Sequence, residues 1–171
     1  MNIWIISDTH FGHELMLTLG VRDKDYEKQI WDSMKRNIKA NDILIHLGDY
    51  AFSSIRKTGK DLWDVLGNKI LVRGNHDKGF GRFIDAGFNM VVDEFRLQHR
   101  KKMVFSHKPV KDLREDEINI HGHLHGNDHR LQGDLKWYLD RDKSKYVDLA
   151  PEVWGCRVIS LDEVLKRSLK S

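Results

Sequence analysis

Lys69-Ile70-Leu71-Val72-Arg73-Gly74-Asn75-His76-Asp77 sets a short apolar run against a glycine turn that carries an amide, an imidazole and a carboxylate. The run reads as a strand buried in a sheet. Gly74, lacking a Cβ, is expected to take positive φ and to let the backbone approach a ligand closely. Asn75 can bind a metal through oxygen, and His76 can handle a proton near neutral pH.

The same construction recurs along the chain. Asn2–Ile6 runs into Asp8-Thr9-His10, Ile43–Leu47 into Gly48-Asp49, Lys101–Phe105 into Ser106-His107, and Ile118–Ile120 into His121-Gly122-His123-Leu124-His125. In open α/β sheets ligands gather beyond the carboxyl ends of the strands, which is where each of these groups falls. Helical spacing of Ile30, Trp31, Met34 and Ile38 predicts an amphipathic helix over Asp25–Ile38. A second helix, capped by Ser53 or Ser54, is expected to run to Leu66 with Leu62, Val65 and Leu66 inward, and a short one over Arg82–Ala86.

The pattern then changes. Met90–Gln98 and Lys101–Phe105 read as a hairpin-like pair. Asn127–Lys145 reads as a polar loop with one helical turn, and Tyr146–Leu149 and Val153–Ile159 as closing strands. Ser160 with Glu163 predicts a capping box for a terminal helix through Leu169. The whole is expected to be one α/β domain over residues 1–171, with layered sheet and helices.

With 40% apolar and 32% charged residues, the composition is that of a soluble globular protein, and no apolar run approaches the roughly 18 residues of a membrane span. The start of the chain lacks a basic n-region, and the single cysteine, Cys156, fits a reducing cytosol; a cytoplasmic protein is expected. A net charge of +3 and a pI near 8.9 permit an anionic substrate but are far from the basic stripe of a dedicated nucleic-acid binder. Histidine is the compositional outlier, at ten residues, and four of them (121, 123, 125 and 129) share one nine-residue window.

The strand-end groups Asp8, His10, Asp49, Asn75, His107, His123 and His125 are too many for one tetrahedral zinc. The absence of thiolate fits a harder ion such as Mn²⁺ or Fe, with Zn²⁺ or Ni²⁺ admissible. Two divalent ions sharing a carboxylate would use all seven, and such a pair supports in-line attack on phosphorus. A lone histidine is usually structural, the reading kept for His46, His99 and His121, with a supporting contact to a metal ligand as the alternative for His121. Arg73, Lys108, His13, His129 and Arg130 neighbour the ligand set and are candidates for phosphate contact, His13 and Arg130 foremost. Trp137 and Tyr138 are expected to serve in the core, at least one of them, with stacking on a base as the alternative.

In identity and order, Asp8-Thr9-His10, Gly48-Asp49, Gly74-Asn75-His76-Asp77, Ser106-His107 and Gly122-His123-Leu124-His125 resemble the motifs of the calcineurin-like metallophosphoesterases, the small stand-alone bacterial and phage type in particular. The resemblance implies a four-layer αββα sandwich with two mixed β-sheets between helices. It also implies that Asp8, His10 and His125 hold one metal, that Asn75, His107 and His123 hold the other, and that Asp49 bridges them. His76 would be the catalytic histidine that protonates the leaving oxygen or stabilises charge developing on the phosphate, with Asp77 as a supporting group. Protein phosphatases of the family extend Gly-Asp with a second Asp and an Arg, whereas Tyr50-Ala51-Phe52-Ser53-Ser54 follows here. What orients His76 is therefore open. The expected activity is hydrolysis of a small phosphodiester or phosphomonoester by a metal-activated hydroxide; the alternatives are a nuclease or nucleic-acid end-processing enzyme, and a non-catalytic scaffold of the same fold. The oligomeric state is not legible.

Overall fold

A computed structural model describes residues 1–18, 21–52, 61–126 and 133–168. Two mixed sheets stack face to face. The first has the order β4-β3-β2-β1-β9, from β1 (Ile3–Ile6), β2 (Ile43–His46), β3 (Asn68–Val72), β4 (Met90–Val92) and β9 (Ile159–Ser160). The second has the order β5-β6-β7-β8, from β5 (Glu94–Gln98), β6 (Lys102–Ser106), β7 (Glu117–His121) and β8 (Tyr146–Asp148).

Register decides where the chemistry emerges. β1, β2 and β3 are parallel, with Ile6 opposite His46 and His46 opposite Leu71, so Asp8, Asp49 and Asn75 leave the sheet at the same edge. In the second sheet β6 runs parallel to β7 with Phe105 opposite Ile120, and His107 and His123 leave at the matching edge.

Alternation of side chains across each strand builds three separate clusters. Ile6, Leu44 and Leu71 face outward from the first sheet and are covered by Ile30 and Met34 of α2 (Tyr26–Asn37), which follows the short α1 (Glu14–Thr18), by Leu62 and Val65, and by Phe83 of α3 (Gly81–Asp85). Ile5, Ile45 and Val72 face inward and meet Met103, Phe105, Ile118 and Ile120 of the second sheet, together with Leu161, Val164 and Leu165 of α5 (Leu161–Ser168). Leu124, Leu135 and Tyr138 pack outside the second sheet against Trp137 and Tyr146. Tyr138 is buried there and Trp137 is part of the same cluster, so both serve in packing.

Several boundaries differ from the sequence reading. Only the Glu94–Gln98 part of Met90–Gln98 forms the expected antiparallel hairpin, with β6 in the second sheet, whereas β4 pairs with β3 in the first. Residues 151–154 form a short helix, α4 (Pro151–Trp154), because Pro151 has its φ preset for a first turn and gives up no needed N–H. Gly133–Asp140 is a 3₁₀ helix, where a loop with one turn was expected. Leu66 is exposed although it was expected inward, since the helical residues end at 63 and the chain turns before Gly67. The capping box is half formed: Glu163 N donates to Ser160 Oγ at 3.2 Å, while the Glu163 carboxylate binds Arg157. Ser53, Ser54, Asn127, His129, Arg130 and Leu169 lie outside the described residues. Among the described residues no helix is long and apolar enough to cross a membrane.

Candidate metal centre

Backbone conformation marks the site before any side chain is considered. The non-glycine residues of positive φ among the described residues are Asp8, His10, Asp49, His123 and His125, with φ between 47° and 71°. Left-handed backbone costs a residue with a Cβ on the order of 1–3 kcal/mol and persists only where its surroundings enforce it. Here it turns each side chain sharply out of its strand end, toward a common centre between the two sheets.

Two donor clusters result. Asp8, His10 and His125 form one, and Asp49, His107 and His123 the other. In the first, Asp8 Oδ1 lies 3.4 Å from His125 Nε2 and 3.9 Å from His10 Nε2. In the second, His107 Nε2 lies 3.0 Å from Asn75 Oδ1, 3.2 Å from His123 Nδ1 and 3.4 Å from Asp49 Oδ2. Asp49 Oδ2 is also 3.8 Å from His10 Nε2, so this one oxygen borders both clusters. All seven predicted ligands are thereby brought together.

The donor set fits metal. Asp8 Oδ1, His10 Nε2 and His125 Nε2 are buried without a hydrogen-bond partner among the described residues, a costly arrangement that coordination would relieve. The far sides of the candidate ligands are occupied. His107 Nδ1 donates to Leu47 O at 2.8 Å, which turns Nε2 to the centre. Asp8 Oδ2 accepts from His123 N at 2.9 Å and from Ser7 Oγ, leaving Oδ1 for the centre.

Electrostatics follow from crowding of carboxylates and imidazoles. Burial works against the charged form of His107 and of His125, yet Asp49 beside the first, and Asp8 and Glu152 beside the second, push both rings up to about 9. Burial pulls His10 and His123 down to about 4. Asp8 and Asp49, though buried, are held below the usual carboxylate range by the neighbouring histidines.

Glycines let the turns interlock. A Cβ on Gly74 would fall 2.1 Å from Asp49 Oδ1, and one on Gly122 would fall 2.2 Å from Asp8 Oδ2. Gly74 is thus required for close approach; it is absent from the positive-φ glycines, contrary to the conformational half of the expectation. Asp77 supports the same turn. Its Oδ2 accepts from Asp49 N at 2.7 Å and Gly74 N at 2.8 Å, and Oδ1 accepts from Tyr50 N at 3.1 Å. Those contacts commit the carboxylate to backbone, and it does not orient His76. The half-exposed His76 ring is bordered instead by Phe52 at 5.3 Å and His10 at 5.8 Å, with Nε2 3.9 Å from Asp49 Oδ2.

His46 and His121 are buried behind the centre. His46 Nε2 meets Thr9 Oγ1 at 2.9 Å and its Nδ1 accepts from Gly48 N, so it ties two ligand turns together as a neutral ring. His121 Nδ1 is 2.9 Å from Gly122 O, within the turn that carries His123.

Arg22 and Glu152 were missed by the sequence reading. Glu152 Oε1 is 3.0 Å from His125 Nδ1 and 2.9 Å from Arg22 Nε. Arg22 donates onward to Thr9 O and Asp8 O at 2.9 and 2.6 Å. Neither sits in a recognisable motif, although Pro151 before Glu152 could have signalled a helix start after β8.

Of the phosphate candidates, His13 stacks on Phe52 and stands 5.5 Å from His10. Lys108 is exposed on an open cleft beside Asn75 and His107. Arg73 lines that cleft too, but its Nε donates to Asp93 at 2.8 Å and its guanidinium covers Phe80.

Two stacked mixed sheets flanked by helices, with paired His and Asp clusters at the strand ends, define a metallophosphoesterase-type domain. Residues 1–139 match the calcineurin-like phosphoesterase superfamily domain, and the chain belongs to that superfamily. An uncharacterized protein of Methanocaldococcus jannaschii is 28% identical over 175 residues, 96% of this chain and 89% of that protein. A crystal structure of a protein of unknown function from Aquifex aeolicus superposes with a TM-score of 0.78 at 29% identity, over 97% of this chain and 98% of that one. The Pseudomonas putida nuclease MPE shares the fold, with a TM-score of 0.50 at 20% identity, over 72% and 61% of the respective chains.

Proposed function

We propose that this chain is a dinuclear metal-dependent phosphoesterase that hydrolyses phosphodiester or phosphomonoester bonds. What carries the reading is that every left-handed non-glycine residue described is also a predicted ligand, and that their donor atoms gather in two clusters that Asp49 borders. Asp8, His10 and His125 would hold one ion, Asn75, His107 and His123 the other, and Asp49 both. Two divalent ions, Mn²⁺ foremost with Fe, Zn²⁺ or Ni²⁺ admissible, supply polarisation of the phosphoryl oxygens and a water of lowered pKa.

The chain's own groups do the rest. As water oxygen bonds to phosphorus and the bond to the leaving oxygen breaks, His76 gives that oxygen its proton; its half-exposed ring beside Asp49 suits the task. Asp77 holds the turn on which His76 sits. Lys108 offers an exposed cation where a phosphate approaches from the cleft. A cytoplasmic location fits the lone, half-buried Cys156.

A nuclease or end-processing activity is the second reading, favoured by the pI near 8.9 and by the fold shared with the Pseudomonas nuclease. A non-catalytic scaffold would have no use for seven converging ligands. The test is a screen of phosphomonoesters, linear and cyclic nucleotides, aryl phosphodiesters and oligonucleotides on Mn²⁺-loaded protein. Mn²⁺-stimulated hydrolysis is expected; metal binding without hydrolysis of any ester, with any divalent ion, would overturn the reading.

A further inference from the structure

Phe52 is a large apolar side chain left 52% exposed at the rim of the centre. It is held in place. Its ring lies parallel to His13, with centroids 3.9 Å apart and planes 7° from one another, and 5.3 Å from the ring of His76. His13 in turn is backed by His10, and its Nδ1 is buried with no hydrogen-bond partner among the described residues. The other flank of the centre, beside Asn75 and His107, is a polar cleft that carries Lys108, Arg73, Asp93 and Glu94. The two flanks therefore differ in chemistry: one is an aromatic wall, the other is charged.

Which part of a substrate meets the wall follows from the proton. If His76 protonates the leaving oxygen, the leaving group lies on the side of His76, and that is the side of Phe52. An exposed ring already stacked on a neighbour loses little freedom when a ligand covers it, and stacking with another planar ring is its most favourable contact.

We infer that Phe52, backed by His13, is the subsite for a planar ring on the leaving group, so that the preferred substrates are phosphoesters of nucleosides or of other ring-bearing alcohols. Plain sugar and alkyl phosphates are poorer substrates. The inference rests on the proton-donor role proposed for His76. One base–aromatic stack is worth roughly a tenfold preference or more.

Calorimetric binding of adenosine 5′-monophosphate and of ribose 5-phosphate to the Mn²⁺-loaded full chain tests it, in the native protein, Phe52→Ala and Phe52→Trp. The native protein should prefer the nucleotide, Phe52→Ala should lose about tenfold of that preference, and Phe52→Trp should keep it. Equal affinity of the native protein for both ligands, or an unchanged preference in Phe52→Ala, would overturn the subsite. The same ratio for hydrolysis of phenyl and ethyl phosphate is the second readout; an equal loss on both esters would make Phe52 a support for His76 and also overturn it. Because the binding ratio needs no turnover, a protein that hydrolyses nothing would sink the catalytic reading while the subsite is still decided.

Discussion

Glu152 Oε1 lies 3.0 Å from His125 Nδ1, and the opposite nitrogen of that ring faces Asp8 Oδ1 at 3.4 Å. A carboxylate behind a ligating imidazole fixes the ring and raises its basicity. Arg22 clasps the same carboxylate and the backbone of Asp8 and Thr9, so one ion pair joins two ends of the chain at a single donor cluster.

Glu152→Gln should therefore weaken Mn²⁺ binding at the Asp8, His10 and His125 cluster by roughly 10–100-fold while the Asp49, His107 and His123 cluster still fills. Titration calorimetry on chelated protein would show one of two binding events shifting to lower affinity. Two unaltered events would mean that Glu152 does not support the ligand.

His76→Ala should separate chemistry from metal binding. The His76 ring is half exposed and none of its atoms belongs to either donor cluster. Its loss should lower kcat by roughly 10²–10⁴-fold, the usual contribution of a positioned general acid, with metal content unchanged. Asp49→Asn, which removes the charge both clusters share, should lower metal content and rate together. Elemental analysis alongside steady-state kinetics distinguishes the two.

Gly74→Ala should damage the centre through sterics alone. The added methyl would fall 2.1 Å from Asp49 Oδ1 and 2.4 Å from Asp49 N, and neither the ligand nor the backbone can retreat without opening the turn. A loss of about 1–3 kcal/mol in urea unfolding of the chelated protein is expected, with weakened metal binding.

Acid should destabilise the chelated protein through its buried histidines. Burial pulls His46 to about 3 and His121 to about 4, against an ordinary value near 6.5. The unfolded chain therefore binds protons that the folded chain refuses. Stability from these two rings is complete above pH 6.5 and is lost as pH falls toward 4, by up to about 1.4 kcal/mol per pH unit for each ring. His107 and His125, pushed up to about 9, act with the opposite sign: their contribution is complete below pH 6.5 and fades as pH rises through 9. Urea midpoints measured on chelated protein between pH 4 and 9.5 should fall at both ends. The same raised rings must release protons when metal binds, so Mn²⁺ affinity should rise with pH.

The strand ends were legible because each carries its own local signal, an apolar run followed by a turn with Asp, Asn or His. The switch between sheets at Asp93 was not, since Met90–Gln98 is a continuous strand-like pattern and only pairing partners divide it. The helix α4 overrode the β-branched Val153 because Pro151 and the packing of Trp154 in the inter-sheet core outweigh one residue's propensity. Leu66 was misplaced for a related reason: helical periodicity continues past the point where the chain turns.

By itself the sequence determined the donor residue types, their order and the superfamily, because motifs at strand ends are properties of neighbouring residues. Only the tertiary structure decided how they act together. Parallel register brings Asp8, Asp49 and Asn75 to one edge, and left-handed backbone at Asp8 and Asp49 aims those two inward. Asp77 is spent on backbone amides, and Arg22 and Glu152 reach His125 and Asp8 from distant parts of the chain. Phe52 stands beside His76 where no motif predicts it. Such contacts depend on which strands pair and in what register, and that is set by the burial of whole faces, which no short window of residues contains.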